Sequence, residues 1–136
     1  LDMREKELEE RQMEMARMVT ALNTQQEKLQ NIFQRQRENT LMQETLAAAE
    51  NLDIFQLEEH RTFGIKLIGD AKNQERIIAN TKTILERKQL EVKEAYQKVE
   101  TLKKLKEKQE KEFYKEFLHA EMKEIDDITS ARFKIG

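Results

Sequence analysis

The scarcity of helix-breaking residues constrains this sequence more than any other feature. Its 136 residues contain 3 glycines and no proline. Chains that fold back on themselves repeatedly use glycine and proline at their turns, so few turns are expected here. Good helix formers, mainly glutamate, glutamine, lysine, arginine and leucine, fill most of the other positions. The sequence therefore predicts an all-α fold made of long helices.

One interruption divides the chain, at Asn51-Leu52-Asp53. Asn51 can end a helix in the left-handed conformation. Asp53 suits the N-cap of a following helix, with Gln56 as its capping-box partner three residues later. We expect a single domain over residues 1–136, composed of a helix at about 1–50, a turn at about 51–53, a helix at about 54–129 and a frayed tail at 130–136.

Apolar residues recur in both arms with the seven-residue period of coiled coils. In the first arm the row is Leu1, Leu8, Met15, Leu22 and Leu29, with a second row four residues later at Gln12, Val19, Gln26 and Phe33. In the second arm the row is Ile78, Leu85, Val92 and Val99, with Ala95 and Leu102 three residues after members of it. Lys106 then breaks the series, which indicates a stutter.

Two amphipathic arms joined by a short turn can bury each other's stripe, so we predict a long antiparallel two-helix coiled-coil hairpin. At ~1.5 Å per residue, the first arm would span roughly 75 Å and the second roughly 115 Å. The second arm should therefore extend beyond the first from about Leu105 to Thr129. Apolar residues in that extension call for a partner; they are Phe113, Phe117, Leu118, Met122, Ile125 and Ile128.

Several classes of function are disfavoured. There is no cysteine for a disulfide or a thiolate metal site, and 25 basic against 27 acidic residues leave no excess for nucleic acid or a membrane surface. The longest apolar run, residues 46–49, is too short to span a bilayer. Glu116 and His119 have a metal-site spacing, but His60 has Leu57 at the matching position, so solvated histidines are expected. We predict no enzyme activity, no metal and no cofactor.

The C-terminal third carries the most specific pattern. A Leu-Lys-rich stretch at 99–109 precedes Phe113-Tyr114 and an acidic stretch at 121–128. This order resembles the closing signature of the FliJ family, small coiled-coil proteins of the bacterial flagellar type III export apparatus. Positions that match or resemble the family ending are Glu121, Glu124, Asp126, Ile128, Arg132 and Phe133, while Ile125 replaces the usual leucine and Asp127 the usual glutamate.

Two departures accompany the resemblance. Gly64 lies within the Phe63–Leu67 stretch and Gly69 just after it; the stretch otherwise resembles an aromatic-leucine position early in the family's second helix. The family's short basic-aromatic N-terminal segment is absent. Because residue 1 is leucine and not methionine, we expect that further residues precede it in the native protein.

The resemblance implies a non-catalytic stalk, similar to the central shaft of rotary ATPases. It would bind the hexameric flagellar export ATPase, link it to the cytoplasmic domain of the export gate and take part in recycling export chaperones. The implied location is the bacterial cytoplasm, peripheral to the inner membrane at the flagellar base, without membrane insertion or nucleic-acid binding.

The same resemblance, together with the apolar extension, nominates partner-binding residues. For the export ATPase they are Leu102, Lys103, Lys104, Leu105, Lys106, Phe113, Phe117, Glu121, Met122, Glu124, Ile125 and Asp126. For the export gate they are Ile32, Phe63 and Leu67. Three other hypotheses stay open: a chaperone or holdase hairpin of the prefoldin kind, a structural coiled coil that homodimerises through its seam, and a nucleic-acid-binding coiled coil.

Overall fold

Two helices account for nearly the whole chain in the computed structural model, which describes the backbone of residues 1–135 and the side chains of residues 1–133. Helix α1 spans Asp2–Ala47 and helix α2 spans Ile54–Ile135. No strand occurs among the described residues. The predicted all-α, two-helix fold is confirmed.

Helix α2 begins at the predicted cap. The Asp53 carboxylate accepts a hydrogen bond from the Gln56 backbone N–H at 3.1 Å, and the Asp53 carbonyl accepts the first helical bond from the Leu57 N–H at 3.1 Å. The bond to the carboxylate satisfies the Gln56 N–H, which would otherwise have no partner at the helix start.

The end of α1 differs from the prediction. No described non-glycine residue has a positive φ, so the left-handed Asn51 was wrong. The helix instead ends at Ala47, where the Ala49 N–H donates to the Leu46 carbonyl at 3.4 Å. This hydrogen bond spans three residues in place of four, as in a 3₁₀ turn, and the helix ends there without a left-handed residue. At the other end, the helix continues through Ile135, and no glycine or proline lies between Gly69 and Gly136. Fraying of the tail at 130–136 stays a prediction, and Gly136 lies outside the described residues.

Contacts divide the chain into two units, one formed by Glu9–Val92 and the other by Leu1–Leu8 with the chain from Lys93 onward. In the Glu9–Val92 unit the helices run antiparallel and both follow a strict seven-residue repeat. The buried or half-buried repeat positions are Arg11, Met15, Met18, Leu22, Gln25, Leu29, Ile32, Gln36, Asn39, Gln43 and Leu46 in α1, and Leu57, His60, Gly64, Leu67, Ala71, Gln74, Ile78, Thr81, Leu85, Lys88 and Val92 in α2.

The second row of the α1 seam was predicted one residue too late at three of its four positions. Gln12, Val19 and Gln26 are exposed, whereas Arg11, Met18 and Gln25 are half-buried. The fourth, Phe33, is half-buried together with Ile32. The error arose because alternate members of the true row are polar. The predicted α2 row is confirmed, since Ile78, Ala95 and Val99 are buried and Leu85, Val92 and Leu102 are half-buried.

Polar side chains connect α1 and α2 at regular intervals in the Glu9–Val92 unit. Near the turn, the Asn39 and Gln43 amides each donate to the His60 carbonyl at 2.9 Å, and His60 Nδ1 lies 3.0 Å from Asn39 Oδ1. Farther along, the Gln74 amide donates to the Gln25 carbonyl at 2.9 Å and to its side-chain oxygen at 2.7 Å. Such layers fix the register of paired helices because each buried polar group needs its own partner.

The third polar layer is ionic. Glu14 Oε2 lies 3.2 Å from both Lys88 Nζ and the Arg11 guanidinium, and Glu91 lies 3.5 Å from Lys88. The hydrogen bond from Lys88, and then that from Arg11, hold the pKa of the Glu14 carboxyl below its ordinary value of 4.5. A lowered pKa in the folded state means that the unfolded chain takes up the proton first as the pH falls.

Glu14→Gln is therefore expected to flatten the acid dependence of stability. In the native chain, the contribution of Glu14 is complete above pH 4.5 and is lost as the pH falls through the lowered pKa. Urea midpoints measured from neutral to acidic pH test this, with Glu9→Gln, an exposed carboxylate on the same helix, as the control. Equal slopes for the native chain and Glu14→Gln would contradict the prediction.

Candidate functional site

Helix α2 changes character after Leu102. Every described side chain from Lys103 to Phe133 is exposed. We call residues 103–133 the C-terminal segment. Since no described part of the chain covers it, there is no seam for the predicted stutter at Lys106 to follow.

The C-terminal segment carries large apolar side chains despite its exposure. Phe113 is 72% exposed, Met122 65% and Ile125 58%. Tyr114, Leu118, Met122, Ile125 and Ile128 follow one another in steps of three or four residues, which places them along one side of a helix. Lys115, His119, Lys123 and Asp126 follow similar steps about 100° farther around the helix. A contiguous exposed apolar face of this kind marks an interaction surface.

Charge is distributed unevenly along the same segment. Residues 103–115 carry six lysines against three glutamates, and residues 116–127 carry five acidic residues against Lys123. The segment thus has a basic first half and an acidic second half, and the apolar face runs mainly along the second half. A partner of complementary charge could therefore bind the C-terminal segment at one position and in one orientation.

The structure brings together most of the residues nominated for ATPase binding. Eleven of the twelve lie in the C-terminal segment and are exposed, and Leu102 is half-buried at its border. The three residues nominated for gate binding differ in exposure. Phe63 is 40% exposed and Ile32 half-buried, but Leu67 is only 1% exposed. A direct surface role for Leu67 does not fit its burial, because α1 covers that row of α2.

The two histidines also lie in different environments. His60 was expected to be solvated but is half-buried and engages Asn39 across the two helices, whereas His119 is exposed. Among the described residues, no group of three His, Cys, Asp or Glu side chains is arranged to hold a metal ion. No described helix is long and apolar enough to cross a membrane.

Sequence reasoning missed the polar layers formed by Asn39, Gln43 and His60 and by Gln25 and Gln74. The signal was present as a row at intervals of seven in which polar and apolar residues alternate: Arg11, Met18, Gln25, Ile32, Asn39 and Leu46. A search for apolar periodicity alone does not detect such a row, because every second member is polar.

Comparison with known proteins identifies the family. The family model described as "Flagellar FliJ protein" matches residues 1–134. No curated protein and no solved structure matches the chain significantly. The family match covers both helices, including the C-terminal segment, and the family is a non-catalytic component of flagellar protein export. The chain belongs to the FliJ family.

Proposed function

We propose that this chain is the stalk of a bacterial flagellar export apparatus and binds the hexameric export ATPase through the C-terminal segment. One observation carries the proposal: a run of α2, residues 103–133, is exposed on all sides and bears an apolar face. Exposing such a face costs solubility unless a partner covers it. The family match directs the choice of partner to the flagellar export apparatus.

The arrangement of charge supports a directional contact with the ATPase. The lysines at 103, 104 and 106 lie at the start of the C-terminal segment, and the acidic residues at 121, 124 and 126 lie in its second half, beside the apolar face. A ring of identical subunits presents the same surface repeatedly, so a two-signed helix could orient itself against any one of them. By the same proposal, Phe63 and the exposed edge of Ile32 face the export gate.

ATPase activity tests the proposal directly. The native chain, added in substoichiometric amounts, should stimulate the export ATPase and promote ring formation. Phe113→Asp/Phe117→Asp should abolish both effects, because two carboxylates in place of exposed aromatic side chains of the C-terminal segment cannot be desolvated against the ring without a large cost. Phe55→Asp is the matched control, since Phe55 is 73% exposed but lies near the start of α2; it should leave stimulation unchanged.

Circular dichroism of all three chains separates a binding defect from a folding defect. Exposed positions tolerate substitution with little change in stability, so the three helical contents should agree. If the native chain neither binds the ATPase nor changes its activity, the proposal fails. If Phe55→Asp is impaired and Phe113→Asp/Phe117→Asp is not, the contact lies near the turn instead.

A further inference from the structure

The C-terminal segment is complementary to itself when its direction is reversed. Residues 103–106 read Lys-Lys-Leu-Lys, and residues 127–124, read backwards, are Asp-Asp-Ile-Glu. Aligning the two directions pairs Lys103 with Asp127 and Lys106 with Glu124. The same alignment pairs Phe113 with Phe117 and has its centre at Lys115. Charge and apolar character therefore match in one antiparallel register.

The matched residues also share one side of the helix. Lys106, Phe113, Phe117 and Glu124 are separated by seven, four and seven residues, the spacing of a coiled-coil seam. All four are exposed, with Phe113 at 72% and Phe117 at 52%. None of them has a cross-helix hydrogen bond or ion pair among those found for the described residues. A second helix could thus reach the whole row.

We propose that residues 103–127 pair antiparallel with the same residues of a second copy of this chain, about a two-fold axis at Lys115. A two-fold contact uses the same patch on both subunits, so each favourable pair occurs twice. Phe113 of each copy packs against Phe117 of the other. Lys106–Glu124 and Lys103–Asp127 pairs lie on either side of this aromatic centre.

Other arrangements of two copies place like charges together. A parallel pair sets the lysines at 103–106 against themselves. An antiparallel shift of one helical turn sets Lys103 opposite Lys123 in one direction and Glu110 opposite Glu124 in the other. Like charges that face each other across paired helices are destabilising. The charge pattern therefore favours the register centred at Lys115.

Self-pairing covers Phe113 and Phe117, which the proposed function assigns to the ATPase. The two occupants would exclude each other, and the pair would be a resting form that opens before the segment binds elsewhere. The self-pairing itself does not depend on the identity of that partner, and it can be measured without any ATPase.

Introduced cysteines test the register, because the chain has none of its own. Lys106→Cys chains mixed with Glu124→Cys chains should form a mixed disulfide under mild oxidation. The rate should be roughly ten times that of either variant alone, since a helical pair raises the effective thiol concentration to the millimolar range. Lys104→Cys mixed with Asp126→Cys is the matched control: these residues pair in the same alignment but lie on the opposite side of the helix, so their mixture should stay reduced.

Sedimentation equilibrium of the cysteine-free chain gives the second measurement. The native chain should show reversible dimerisation, Lys106→Glu should raise its Kd by roughly tenfold through two repulsive pairs, and Lys106→Glu/Glu124→Lys should restore it. A mass that stays monomeric at all concentrations would overturn the proposal. So would self-crosslinking of Lys106→Cys alone at the rate of the mixture, because the two copies of residue 106 are far apart in an antiparallel pair.

Discussion

Replacing Leu67 with alanine is expected to lower the free energy of unfolding by about 2–5 kcal/mol. Leu67 is the one large side chain of the described residues that is less than 2% exposed. It lies midway between His60 and Gln74 in α2, and Ile32 lies midway between their partners Asn39 and Gln25 in α1. The hydrogen bonds on both sides hold the helices at a fixed separation, so they cannot close into the cavity that alanine leaves.

Urea unfolding followed by far-UV circular dichroism measures this loss. Leu90→Ala is the control, because Leu90 lies on the same helix but is 54% exposed, and its replacement should change stability by no more than about 0.5 kcal/mol. Phe63→Ala, at an exposed position, should likewise change the free energy of unfolding only slightly. If Leu67→Ala proves as mild as Leu90→Ala, the packing described for this layer is wrong and a surface role for Leu67 becomes tenable.

Alanine at the two internal glycines of α2 is expected to have opposite effects. Gly69→Ala should raise the free energy of unfolding by about 0.5–1 kcal/mol, the helix preference of alanine over glycine, because a Cβ there meets nothing within 4 Å. At Gly64 a Cβ would lie 2.9 Å from the Asn39 amide nitrogen and 3.4 Å from that of Gln43. The Asn39 amide would have to leave the His60 carbonyl, whereas 3.4 Å is an ordinary contact and lets the Gln43 amide stay. A buried amide that loses its partner costs about 1–3 kcal/mol. The expected net result at Gly64 is a loss of about 1 kcal/mol.

A double-mutant cycle assigns the cause of that difference. In an Asn39→Ala background the amide nearest to the new Cβ is absent. Gly64→Ala should then be neutral or stabilising, while Gly69→Ala should raise the free energy of unfolding as before. Thermal or urea unfolding of the four chains provides the numbers. Equal stabilisation at both glycines in the native background would show that the Asn39 amide moves aside freely and that this layer does not hold the register.

The fold could be predicted from the sequence because its strongest determinants are local. The lack of glycine and proline after Gly69 permits one continuous helix, and the Asp53 cap was recognisable from side-chain chemistry alone. The row Ile78, Leu85, Val92 was found because all its members are apolar. The second row of the α1 seam was misplaced because Gln25 and Asn39 occupy seam positions, and their role depends on which residues of α2 lie opposite.

The candidate site was predictable in a different way. The excess length of α2 and its apolar residues indicated an uncovered segment, which the structure shows from Lys103 onward. Which partner covers it cannot follow from the periodicity of one chain, because a helix face specifies the character of its occupant but not its identity. Leu67 illustrates the opposite limit: the resemblance placed it on a surface, and only the register of α1 against α2 shows that it is buried.

The three polar layers also have a mechanical consequence for the Glu9–Val92 unit. Sliding one helix along the other by a single seven-residue repeat would set Gln25 level with Leu67 or Thr81 in place of Gln74. Each displaced amide would then lie in the seam without a hydrogen-bond partner, which costs about 1–3 kcal/mol of stability. Because the layers differ in chemistry, no intermediate displacement satisfies all of them at once. The hairpin should therefore resist axial shear up to a threshold and then yield abruptly, so that a load applied to one helix is passed to the other without slippage.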